Sequence, residues 1–186
     1  MTTVQVPAFF HELFGKKTTT VELACIVSFA LGSTAFISYV SSEYLSELGV
    51  FQIGILIVLL LDVSGGVVAN FSYWTNNQYR ESSKNRLVFI GVHIQPVLLA
   101  LVLGDFWIPA IATWIFTIAS ALLSNSLIQH PAQRVIAATA MATGLAGLII
   151  LAPDLPASIL LLLVFYLIKV IFSFSVDHYA PRNTPE

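Results

Sequence analysis

Apolar residues run along this chain in six blocks separated by short polar clusters, over residues 21–41, 50–71, 87–104, 106–126, 134–152 and 157–176. Each block is close to the roughly 20 residues that carry an α-helix across a bilayer. Polar positions inside them are rare enough to name: Asp62, His93, Gln95 and Lys169. Only Gly104-Asp105 separates the third block from the fourth. Pro109 and Pro156 stand at helix starts, where a missing N–H costs nothing because it would lack an intrahelical partner anyway. The pattern predicts an all-α, polytopic membrane bundle of six helices. A cytoplasmic segment (1–20) precedes a single membrane domain (21–176), and a cytoplasmic tail (177–186) follows it.

Composition agrees with the pattern. Of 186 residues 57% are hydrophobic and 10% charged, against about 25% charged in a soluble domain. That leaves too little charge to solvate a globular surface and excludes a soluble enzyme. A net charge of −2 gives no basic footprint for nucleic acid. Cys25 is the sole cysteine, so no disulfide or CxxC motif forms within one chain. The first apolar run has no basic start and no small-residue cleavage site, unlike a signal peptide. Ahead of it Phe9, Phe10, Leu13 and Phe14 share one helical face, which predicts a short interfacial helix.

Placing the cations one by one orients the bundle. Lys16, Lys17, Arg80, Lys84, Arg86, Arg134 and Arg182 all fall on one side of an even number of spans. The opposite loops carry Glu43, Glu47, Asp105 and Asp154. By the positive-inside rule both termini and the 72–86 loop are expected in the cytoplasm. A weak repeat is also visible. The segments Arg86–His130 and Arg134–His178 have the same Arg-to-His spacing of 44, and each turns through an Asp/Pro corner.

Charges inside hydrocarbon are costly and point to use. At about 1.5 Å rise per residue, Asp62, His93 and Lys169 lie roughly 9–13 Å in from the cytoplasmic end of their spans, with Gln95 near the same layer. They are the expected catalytic or relay set. Asn70, Gln95, Asn125, Tyr166 and Arg80 are the expected substrate contacts. Asp62 shares a helical face with Gly65, Gly66, Ala69 and Asn70, which marks a surface turned toward other helices. Gly65-Gly66 allows either a helix break or close packing, and Lys169 either snorkels or pairs with Asp62. His93, His130, His178 and Asp177 are enough donors for a metal, though no pair has ligand spacing. The same histidines could flank a haem, but nothing in the pattern demands a cofactor.

This arrangement points first to a membrane-embedded enzyme working on a lipidic or amphiphilic substrate. Asp62 and His93 would be its acid–base pair and Lys169 would stabilise negative charge. The expected cavity opens to the cytoplasm or inner leaflet, is lined by Asp62, His93, Asn70 and Lys169, and ends in apolar side chains. A small proton-coupled carrier and a substrate-binding subunit of a membrane complex are the alternatives. The expected partners are the bilayer, a lipidic or small-molecule substrate and possible further copies of the chain.

Overall fold

The computed structural model describes residues 2–7, 11–80 and 82–179. Six helical segments in it are long and apolar enough to cross a membrane: Thr20–Val40, Val50–Ala69, Ser83–Leu103, Trp107–Ser126, Gln133–Leu151 and Ala157–Phe174. They lie within a few residues of the apolar blocks.

The chain begins with two short strands, β1 (Thr3–Gln5) and β2 (Lys17–Thr19), paired antiparallel with Thr3 opposite Thr19. Between them α1 covers only His11–Phe14. Of the interfacial helix expected on Phe9, Phe10, Leu13 and Phe14, the described part is the helical turn His11–Phe14 between the two strands, and Phe9 and Phe10 lie outside the described residues.

Thr19 starts α2 (Thr20–Val40) with a complete capping box: its hydroxyl accepts from Glu22 N–H, and the Glu22 carboxylate accepts from Thr19 N–H at 2.9 Å. A short α3 (Ser42–Ser46) turns the chain into α4 (Val50–Ala69). Gly65 does not break α4. A Cβ there would sit 3.4 Å from the Ala30 Cβ, so α2 and α4 meet closely at this pair.

After α5 (Tyr73–Arg80) the third span is two helices, α6 (Ser83–Val92) and α7 (Gln95–Leu103), interrupted at His93-Ile94. Pro96 explains the interruption, since it has no N–H for the Val92 carbonyl one turn back and its ring crowds that carbonyl, whereas near the start of α7 it is tolerated. Gly104, at φ +74°, ends α7 in the left-handed region open to glycine. The fourth and fifth spans, α8 (Trp107–Ser126) and α9 (Gln133–Leu151), are continuous. The sixth begins as α10 (Ala157–Leu167) and widens into a π-helical segment over Ile168–Phe174. Only one member of each repeated pair is thus irregular: span three is broken while span five is not, and span six widens while span four does not.

Span six is the hub. Ile159, Leu162, Leu163, Leu167 and Ile171 are buried in one core with Ile37, Leu56, Leu60 and Leu99. A second core, nearer the arginine-bearing end, joins Val63, Tyr79, Ile90, Ala121, Tyr166, Val170 and Phe174.

Candidate functional site

The two irregular segments meet at α4. Lys169, in the π-helical part of span six, donates to Asp62 Oδ2 at 2.9 Å, and its ammonium also reaches the Asp62 carbonyl at 3.4 Å. Gln95, in the first turn of α7, donates to the same oxygen at 3.0 Å. Lys169 pairs rather than snorkels, and its side chain is 4% exposed. Its stem crosses α4 at Gly66, where an added Cβ would run into the side chain. Gly66 thus serves close packing, and the ligand packed there is a residue of the chain itself.

Asp62 is the open member of the pair. Its side chain is 42% exposed. Both side-chain donors share Oδ2, and among the described residues no donor reaches Oδ1.

His93 stands at the break. Its ring lies tilted by 33° against Phe89, with 3.9 Å between centroids, and Nδ1 is hydrogen-bonded to the Phe89 carbonyl. The His93 carbonyl, freed by the break, accepts from the Tyr166 hydroxyl at 2.6 Å. Tyr166, expected as a substrate contact, therefore anchors the broken span. The Gln95 side-chain Oε1 is buried without a partner, as is Asn70 Nδ2 at the end of α4.

A second polar layer closes the arginine-bearing end, and most of it is spent on backbone. Arg86 was counted among the loop charges, yet it is 1% exposed. It donates to Asn125 Oδ1 at 2.6 Å and to the carbonyls of Phe174 and Ser175 at 3.3 and 2.9 Å. Gln133, also buried, donates to the carbonyls of Ser124 and Ser175 at 3.0 and 3.1 Å. These groups satisfy carbonyls where the π-helical segment ends, a demand that could not be foreseen without knowing the segment was there. Asn125 is thereby a partner of Arg86, and Arg80 pairs with Asp177 at 3.4 Å. His178 places Nε2 near the Phe172 and Ser173 carbonyls, and its own carbonyl accepts from Arg134. Outside the spans, burial and then the Glu22 charge hold the Tyr179 phenol above its ordinary pKa. It stays protonated and donates to the Phe71 carbonyl at 3.0 Å.

The metal candidates are not brought together. His93 is at the broken span, His130 caps its own turn by accepting from Ala132 N–H, and His178 and Asp177 follow span six. Among the described residues no group of three or more His, Cys, Asp or Glu could hold a metal ion.

An apolar cavity of about 390 Å³ lies elsewhere than expected. Ile108, Pro109, Phe116, Gly144, Leu148 and Leu167 line it, toward the acidic end between α8 and α9. None of Asp62, His93, Asn70 or Lys169 contributes. Gly147 leaves open space beside it, whereas an added Cβ at Gly144 would meet Phe116 and Leu167. Family models, curated proteins and solved structures were all searched, and none matches the chain.

Proposed function

We propose that this membrane protein is a small coupled carrier whose working centre is the Asp62–Lys169 pair. One observation carries the reading: an intramembrane carboxylate on α4 is held on one oxygen by Lys169 of the π-helical span and Gln95 of the broken span, with its other oxygen left open. Discontinuous helices near the midplane are where carriers place substrate and coupling ions. Lys169 acts as a tethered cation that holds Asp62 until a proton or solute replaces it. Exchange at one carboxylate couples two binding events without further machinery.

A carrier also needs access from both ends. Toward the acidic end the hydroxyls of Thr34 and Ser38 on α2 and of Ser41 at its C-cap recur at helical spacing, and each oxygen is buried without a protein partner. By contrast Ser33, Ser64 and Ser124 donate to carbonyls one turn back, at 2.6, 2.5 and 2.8 Å. The unpartnered set supports a hydrated route on that side. The acid–base enzyme reading draws less support, because the His93 ring is engaged with Phe89 and the apolar cavity has no titratable lining. The same proposal puts both termini in the cytoplasm.

The test is transport by the purified protein in liposomes loaded with a pH-reporting dye, under pH gradients of both signs. Amines, amino acids and inorganic cations are offered in turn. The expected result is a solute-dependent internal pH change, lost in Asp62→Asn. Traces matching protein-free liposomes for the whole panel would overturn the carrier.

A further inference from the structure

The open side of Asp62 is not turned into the bundle core. One turn away on α4, Val58 is 60% exposed, and Ile94, next to Gln95 at the break, is 48% exposed. Asp62 is thus partly open where α4 meets the broken third span, with exposed apolar residues on both helices. A carboxylate facing hydrocarbon with an unused oxygen is costly unless a donor covers it. Within the protein the two side-chain donors, Lys169 and Gln95, both bind Oδ2.

We propose that this open side of Asp62 is a lateral binding site for a lipophilic amine. Its protonated nitrogen donates to Asp62 Oδ1, and its hydrocarbon body lies along Val58 and Ile94. Charge decides the class. An anionic headgroup would face the carboxylate directly, and Lys169, 4% exposed behind Asp62, is not placed to receive it. A neutral alcohol offers one hydrogen bond without charge, so it binds more weakly than an ammonium. Entry is from the bilayer, because the flanking residues are those that lipid would otherwise touch. The proposal deepens the carrier reading by naming its substrate class and rests on the same carboxylate.

The experiment measures binding and so separates the two. The full chain in lipid nanodiscs is titrated with decylamine, decyltrimethylammonium, decanol and decanoate, with thermal unfolding as the readout. Decylamine should raise Tm at concentrations at least tenfold below those of the other three, and decyltrimethylammonium should be weaker because it has no N–H to donate. Lys169→Met removes the competing cation and should strengthen decylamine binding. The double variant Asp62→Asn/Lys169→Met, which leaves no buried charge unpaired, should lose the preference. Equal responses to decylamine and decanoate would overturn the site. So would an undiminished decylamine response in the double variant, since that is amphiphile partitioning alone. A wild-type dimer that ignores decylamine and dissociates in the double variant would also overturn it, because a second copy would then cover Asp62. If the amine fails to bind while solute still moves in liposomes, the substrate class is wrong and the carrier stands.

Discussion

Asp62 and Lys169 differ in what surrounds them, and that difference decides how each tolerates change. Lys169 is enclosed, with its stem against Gly66 and its ammonium on Asp62. Asp62 is half open and keeps Gln95 as a second donor. Asp62→Asn should therefore cost about 3–5 kcal/mol, because it leaves an enclosed ammonium without its counter-charge. Lys169→Met should cost less, since the carboxylate it abandons retains Gln95 and an open side. The double variant should recover part of the loss, replacing both members of a buried pair being often tolerated. Thermal unfolding in detergent checks this cycle. Strict additivity of the two single losses would show that the pair is not coupled.

At the scale of elements, the irregular helices are stable because other side chains take over the backbone groups they release. Tyr166 does this for the break in span three through the His93 carbonyl. Arg86 and Gln133 do it where the π-helical segment ends, on the carbonyls of Phe174 and Ser175. A hydrogen bond from a charged donor contributes about 1.5–3 kcal/mol. Arg86→Met keeps most of the stem volume and removes the donors, so it should destabilise the protein by about 3 kcal/mol. Amide exchange should speed up over residues 168–176 before it does in α8. Unchanged protection there, with normal exchange in the rest of the chain, would mean that Arg86 does not hold the segment.

For the molecule as a whole, charge asymmetry makes the sharpest statement. With both termini cytoplasmic, the turn around Ser46 is extracellular or periplasmic and Ser83 is not. Single cysteines at these positions, in a Cys25→Ser background, distinguish the two orientations in intact cells. A non-permeant thiol reagent should label residue 46 and spare residue 83. The reverse pattern would invert the bundle and, with it, the side from which the Thr34–Ser41 hydroxyls are reached. Arg86 complicates the charge count without reversing it: although buried, it lies in the first turn of α6, at the same end as Lys84.

The sequence by itself determined the class, the number of spans and the identity of the intramembrane ionisable residues. Hydrocarbon imposes an apolar run of set length, and any charge within it stands out. Lys169 and Asp62 were visible in this way. Tertiary structure decided the rest. Which partner Lys169 takes depends on helix rotation and register, set when Gly66 lets the lysine stem cross α4. Arg86 looked like a loop cation because linear position cannot show a side chain turning inward to meet carbonyls of a segment about 90 residues away. The π-helical turn, and with it the need for Arg86 and Gln133, has no local signature, because it arises from how span six fits among five neighbours. Only that fit leaves Asp62 facing outward with one oxygen free.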